Sequence, residues 1–170
     1  MLSERLLFRK INENDQAFIF RGLSDPEVIR YYGIYYTTYE ETKIQMDWYA
    51  ENESSGIGDY FLICSKPDFE EIGVCGLYHI SSQHRKAEIG YWLIPNFQGK
   101  GYMTEVLQTL LPYWQKKFNL HRIEAEIEPP NVASQKLLLK NGFELEGRKK
   151  DAEIKNGEFI SLDFYARILD

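Results

Sequence analysis

The run Ala87–Ile94, AEIGYWLI, is dense in strand-forming residues and meets Pro95, which cannot donate a ladder hydrogen bond. Gly99-Lys100-Gly101 follows. It opens a stretch in which Met103, Val106, Leu107, Leu110, Leu111, Trp114 and Phe118 recur at helical spacing. Arg122 to Glu128 then reads as another strand. Strand, glycine loop, helix and strand in that order make a βαβ unit. Such a unit places two parallel strands in one sheet and lays the helix across its face. No other part of the chain limits the fold so strongly.

The flanking segments fix the rest of the sheet. Arg5 to Ile11 reads as a first strand, and Asn12 or Asn14 can cap a helix running to about Leu23. Asp25-Pro26 starts a second, short helix. Thr38, with Glu41 three residues on, offers a capping box for a third that runs through Trp48 to about Asn52. Tyr60 to Ser65, Ile72 to Ile80 and Ala87 to Ile94 are strands joined by polar turns, an antiparallel meander. Pro112 falls inside the long helix and is expected to kink it. Pro129-Pro130 ends the next strand, Asn131 can cap a helix over 132–141, and Gly142 can end it. Phe143 to Ile154 and Phe159 to Leu169 join through Asn156-Gly157, a strong hairpin signal. The expected fold class is α/β with a mixed α+β sheet, not a doubly wound one, in a single domain over 1–170.

Charge and cysteine content narrow the function. The net charge of −6 argues against a nucleic-acid partner, which needs a basic face, and mildly favours cationic substrates such as amines. Cys64 and Cys75 lie in apolar runs without C-x-x-C spacing, and His79, His84 and His121 lack ligand-like spacing. No metal site is expected, the thiols are expected to be buried and free, and the histidines to be surface or structural groups. The N-terminus is charged within four residues, and no run approaches the ~18 apolar residues of a membrane span. The expectation is a cytoplasmic protein with no membrane partner.

The glycine loop has several readings. Free N–H groups, the absence of a Cβ and a helix start behind it suit a phosphate. A bare strand-to-helix turn is the plain alternative. G-x-x-x-x-G-K-[ST] is absent. A dinucleotide fingerprint fails because Pro95 to Gln98 separate the strand from the glycines, and about 70 residues are too few for a second half-sheet. The arrangement Gln98-x-x-Gly101, behind AEIGYWLIP and ahead of an amphipathic helix, resembles the acetyl-CoA loop of the GNAT N-acetyltransferases, whose pattern is [Arg/Gln]-x-x-Gly-x-[Gly/Ala]. Met103 departs from it at the last position, so the loop must bend around that side chain or point it into the core. Downstream, NVASQKLLLKNGFELEG resembles the second signature of that family through Asn131, Ser134, Gly142 and Phe143. The two signatures stand about 30 residues apart, one βαβ unit. SERLLFRK, IGYWLIP and GKGYMTE look like the RimJ/RimL branch, whose named members acetylate ribosomal protein N-termini. The likeness covers nearly the whole chain.

The resemblance implies a splayed, mostly antiparallel seven-stranded sheet with flanking helices. It implies acetyl-CoA as cosubstrate and direct transfer to an amine, either a protein N-terminus or a small molecule such as a polyamine, aminoglycoside or amino acid. A silent acyl-CoA-binding domain is the alternative from another class. The backbone of Gly99, Lys100, Gly101, Tyr102, Met103 and Thr104 is expected to cradle the pyrophosphate, with Gln98 at the head of the loop. Lys100 is either a phosphate contact or a solvated lysine. Leu93 and Ile94 are expected to pair with the pantetheine arm in a gap beside their strand, opened where Pro95 ends it. An N–H near Leu93 would polarise the thioester carbonyl. Asn131 is a helix cap and a contact to the cofactor arm, and Ser134 is the acid for the leaving thiolate. Glu88 is the candidate base. Glu124, Glu126 and Glu128 share one face, as a second option or an acidic docking strip. Tyr165 is an alternative acid or a packing residue. The tyrosines at 31, 32, 35, 36 and 39 form part of the acceptor wall or stack in the core. Homodimers are common among such proteins, and the sequence shows no interface.

Overall fold

The computed structural model describes residues 1–169. Its seven strands are β1 (Leu6–Lys10), β2 (Asp59–Ser65), β3 (Glu70–Ser81), β4 (Lys86–Leu93), β5 (Arg122–Ile127), β6 (Glu144–Lys155) and β7 (Glu158–Ile168), in the sheet order β1-β2-β3-β4-β5-β7-β6. Every neighbouring pair is antiparallel except β4 and β5. The helices are α1 (Gln16–Leu23), α2 (Pro26–Ile29), α3 (Lys43–Ser54), α4 (Tyr102–Phe118) and α5 (Val132–Lys140). Among the described residues, no helix is long and apolar enough to cross a membrane.

The parallel pairing of β4 with β5 is short. It runs Lys86↔Arg122, Ala87↔Ile123 and Glu88↔Glu124 and then stops. From there β5 is held by β7, from Arg122↔Ile168 to Ile127↔Asp163, and parts from β4. The sheet is therefore splayed, as expected, but the opening starts at Glu88, well before the end of β4. It is set by β5 following β7, not by Pro95. Pro95 instead begins a 3-10 turn over Pro95–Phe97 that leads into the glycine loop.

Each sheet face carries its own core. On one face Leu77, Ile89 and Leu93 pack with Met103, Leu107, Leu110 and Trp114 of α4 and Leu138 of α5. On the other, Val74, Trp92 and Ile94 pack with Phe18, Ile19 and Leu23 of α1 and Met46 and Tyr49 of α3. Leu107 and Leu110 are fully buried, and each such side chain stabilises by roughly 1.5–3 kcal/mol relative to exposure. Trp114 satisfies its buried indole by donating to Asp59 Oδ2 at 2.7 Å.

One local expectation changes. Thr38 and Glu41 do form the reciprocal box, with both bonds at 3.3 Å. The segment behind them, however, closes through successive bonds to the third residue back, from Thr42 N to Tyr39 O through Gln45 N to Thr42 O. Those bonds make tight turns, so α3 begins only at Lys43. Pro112 sits inside α4 without interrupting it. The partner it lacks is the Gln108 carbonyl, and both residues are exposed, so that carbonyl faces water. The hairpin turn is as read, with φ of +52° at Asn156 and +82° at Gly157.

Candidate active site

The loop is built by two glycines in the left-handed region, Gly99 at φ +69° and Gly101 at φ +79°. Only glycine adopts this backbone without strain. Gly101 is the residue before α4, and no side chain caps the helix there. The N–H groups of Tyr102, Met103 and Thr104 thus have no intrahelical acceptor and carry the positive end of the α4 dipole. Gln98 folds back, its Nε2 donating to the Leu93 carbonyl at 2.8 Å. Met103 is 8% exposed and sits in the core beneath α4. The long side chain therefore leaves the loop clear. Lys100 is exposed, with its ammonium 5.7 Å from the Phe97 ring centre.

An N-terminal strap braces the loop. Glu105 accepts from Ser3 Oγ at 2.7 Å, from Arg5 N at 2.8 Å and from Arg5 Nε at 2.7 Å. Arg5 also donates to the Lys100 carbonyl at 3.2 Å. Burial pushes the Glu105 carboxyl up, but these bonds and the Arg5 charge outweigh it and hold the group below its ordinary value. A carboxylate in the first turn of α4 would repel an anion at the loop; the guanidinium beside it offsets that charge.

The gap lies between β4 and β5. Ile94 N–H donates to the Ile72 carbonyl at 2.9 Å, and the Ile94 carbonyl accepts from Phe97 N at 3.0 Å. Both backbone groups of Ile94 are consumed, so Ile94 does not offer the backbone pairing expected of it. Alternation then turns the backbone groups of Leu93, Tyr91 and Ile89 toward the gap. Leu93 keeps the expected position through its N–H alone, since its carbonyl already accepts from Gln98. Tyr91 joins it, a residue not singled out from the sequence.

Asn131 caps α5, its Oδ1 accepting from Ser134 N at 3.2 Å. Ser134 is 7% exposed, and its Oγ lies 2.6 Å from the Tyr91 hydroxyl. Burial raises the Tyr91 phenol far above its ordinary range against a smaller opposing effect of Ser134, so the phenol stays protonated.

One cleft of about 1180 Å³ contains the loop, the gap, Asn131, Ser134, Tyr91 and Glu88. Its lining is rich in aromatics, with Tyr31, Tyr32, Trp48, Tyr60, Tyr78 and Trp92. Glu88 is half-buried and lies 3.0 Å from His79 Nδ1. His79 reaches it because β3 bulges there, with His79 at φ +51°. His79 is exposed, as read, but its partner was not foreseen; alternation alone does not reveal a bulge. His84 and His121 are exposed.

The acidic strip needs correction. Glu124 is 6% exposed and pairs with Lys86 at 2.9 Å and Arg122 at 2.6 Å. Glu126 pairs with Lys149, and Glu128 with Lys155. Glu124 and Glu126 lie on β5 and Glu128 just past its end, but the charge of all three is spent in pairs within the protein. Tyr165 packs in the core at 3% exposure, the packing alternative.

A mixed sheet splayed beside a helix N-terminus, with one cleft joining the two, defines the fold of an acyl-CoA acyltransferase. The family description "Acetyltransferase (GNAT) domain" matches residues 5–144, and the chain belongs to the GNAT family of N-acetyltransferases. It is 35% identical over 167 residues to the uncharacterised N-acetyltransferase p20 of Bacillus licheniformis, covering 98% of this chain and 94% of that protein. It is 32% identical over 131 residues to the ribosomal-protein-serine acetyltransferase of Escherichia coli K12, covering 77% and 72%. The fold matches RimL, a ribosomal L7/L12 alpha-N-protein acetyltransferase solved with coenzyme A, at a TM-score of 0.89 and 28% identity, covering 99% and 96%.

Proposed function

We propose that this chain moves the acetyl group of acetyl-CoA directly to a primary amine, the N-terminal α-amine of a protein. The observation that carries the reading is the continuity of the cleft: uncapped loop, strand gap, Tyr91–Ser134 pair and Glu88 all line it. The likeness to the ribosomal-protein-serine acetyltransferase and to RimL supports the protein acceptor over a small amine.

The N–H groups at the start of α4 hold the pyrophosphate, and Gly99 and Gly101 let it approach. The pantetheine arm runs from the loop into the gap as far as Leu93, in the manner of an added strand. Leu93 N–H polarises the thioester carbonyl. Asn131 orients α5 and its Ser134 toward the arm. The acceptor ammonium gives a proton to Glu88, directly or through water. The nitrogen lone pair then forms the N–C bond, the C–S bond breaks, and the nitrogen loses its surplus proton to water. Ser134 donates its proton to the departing thiolate, takes one from Tyr91, and the Tyr91 phenol regains its own from water.

Free-thiol release from acetyl-CoA tests this, measured with short peptides, polyamines, aminoglycosides and amino acids. Release with peptides, and acetylated peptide by mass spectrometry, is expected. Acetyl-CoA binding without release for any amine would establish the silent binding domain instead.

A further inference from the structure

We propose that His79 is a positioning residue for the base: its ring N–H holds the Glu88 carboxylate ready for the acceptor's amine. The inference rests on the acetyl-transfer reading, in which Glu88 takes the amine's proton, and adds a residue to that step.

Glu88 is the last residue of β4 to pair with β5, so it stands where the gap opens. On its other side it pairs with Tyr78 of β3. Past Tyr78 the register shifts, and pairing resumes only with Ser81 opposite Lys86. Leu77 and Ile80 both pack on the core beneath α4, and Tyr78 packs on the opposite face. Regular alternation would leave one residue between Leu77 and the next of its face. Here there are two, and the extra one is His79. Its backbone enters the left-handed region at φ +51°, and the Ile80 N–H anchors the bulge on the Ile57 carbonyl at 3.1 Å. A side-chain-bearing residue seldom holds that conformation, and where one does, the strain commonly serves a site.

The bulge sets the imidazole against the carboxylate, with Nδ1 3.0 Å from Glu88 Oε1. Tyr78 meets the same ring edge-on, ring centres 5.1 Å apart. Tyr78, His79 and Glu88 all line the cleft.

An ionised carboxylate only accepts, so Nδ1 carries the hydrogen and donates it. The bond fixes Oε1 and leaves Oε2 for the ammonium. A lysine or arginine in this place would add a permanent positive charge and weaken the carboxylate as a base. An imidazole gives the same bond from its neutral form. The cations that flank Glu88 are committed elsewhere, Lys86 to Glu124 and Lys149 to Glu126. The side chain that orients the base is thus one whose charge is not fixed.

The test uses the thiol-release assay with a short peptide. His79→Gly suits the left-handed backbone, so it removes the side chain and keeps the bulge. It should leave the melting temperature nearly unchanged and lower kcat/KM by roughly tenfold, the worth of a hydrogen bond to a charged group. Asparagine also tolerates this backbone and has an amide donor, so His79→Asn should return activity to within about threefold of the wild type. In a Glu88→Gln background, His79→Gly should cost no more than about twofold further, because His79 acts through the carboxylate. Wild-type rates in His79→Gly, an asparagine variant no better than the glycine one, or a loss undiminished in the Glu88→Gln background would overturn the role of His79 and leave acetyl transfer intact. A fully active Glu88→Gln would overturn it too, by moving the base elsewhere. Thiol release with no peptide or other amine overturns acetyl transfer, and this inference with it.

Discussion

The Tyr91 hydroxyl and Ser134 Oγ stand 2.6 Å apart, joining β4 to the first turn of α5. Two neutral hydroxyls so close form a short proton path, and only one of them has to face the leaving sulfur. Ser134→Ala should lower kcat by about 10²-fold, the lower range for a lost general acid, with little change in acetyl-CoA affinity. Tyr91→Phe should cost less, because Ser134 can draw a proton from water. Steady-state kinetics with calorimetric acetyl-CoA binding checks both, and equal losses would make Tyr91 the donor to sulfur.

Among the described residues Glu88 has His79 as its hydrogen-bonding partner, whereas the acids of β5 are tied up by lysine and arginine. Glu88→Gln should therefore lower kcat by roughly 10²-fold at neutral pH. Raising the pH above the acceptor's own pKa, about 8 for a peptide α-amine, should restore much of the loss, since a free amine needs no base. A pH–rate profile checks this. Full activity of Glu88→Gln at neutral pH would move the base elsewhere.

The order of the elements, the βαβ unit and the loop residues were legible because they are local. Periodicity marks a helix, glycine marks a left-handed turn, and Asn131 caps the helix it precedes. The contacts that assemble the site were not local. Tyr91 meets Ser134 across 43 residues, and His79 meets Glu88 through a bulge. The spacing put Glu124 and Glu126 on one strand, but gave no sign that β5 ends before Glu128 or that Lys149 and Lys155 arrive from β6 to cancel the charge. Met103 could be resolved only by seeing the core, which accepts its side chain.

Gly101 at φ +79° has open space around it, an added Cβ meeting nothing nearer than Arg5 Nη2 at 3.7 Å. Gly101→Ala is thus a test of backbone strain, not of collision within the free protein. It should cost about 1–2 kcal/mol in stability, the penalty of the left-handed region. It should also raise KM for acetyl-CoA more than it lowers kcat, because the methyl group stands where the phosphate approaches. Thermal melts and acetyl-CoA titrations separate the two effects. Unchanged KM would place the pyrophosphate away from this loop.

Glu124 links the sheet to pH. Its burial raises the carboxyl, but bonds and charge from Arg122 and Lys86 outweigh this, leaving it below its ordinary value near 4.5. A group with a depressed folded pKa stabilises above its unfolded pKa, and that stability is lost as pH falls through the folded value. Glu124→Gln should lower the melting temperature at neutral pH, and the difference from wild type should close as pH drops below about 4.5. A difference that persists undiminished in acid would mean the packing, not the charge, of Glu124 matters.

Direct transfer leaves the thiols without a chemical task. Cys75 is fully buried and Cys64 2% exposed, and neither lines the cleft. Burial raises both thiols above their ordinary range, with Arg9 partly opposing this at Cys64. Neither is a ready thiolate, so neither is suited to take the acetyl group. Alanine is the informative replacement, because serine would bury a hydroxyl in the core. Cys64→Ala with Cys75→Ala should cost roughly 1–2 kcal/mol in stability from lost packing. It should leave kcat within about twofold, as for core changes remote from the reacting atoms. Mass spectrometry of the wild type quenched during turnover should find no acetylated enzyme. A drop in kcat of about tenfold or more, with folding and acetyl-CoA affinity intact, would point instead to an acetyl-cysteine intermediate.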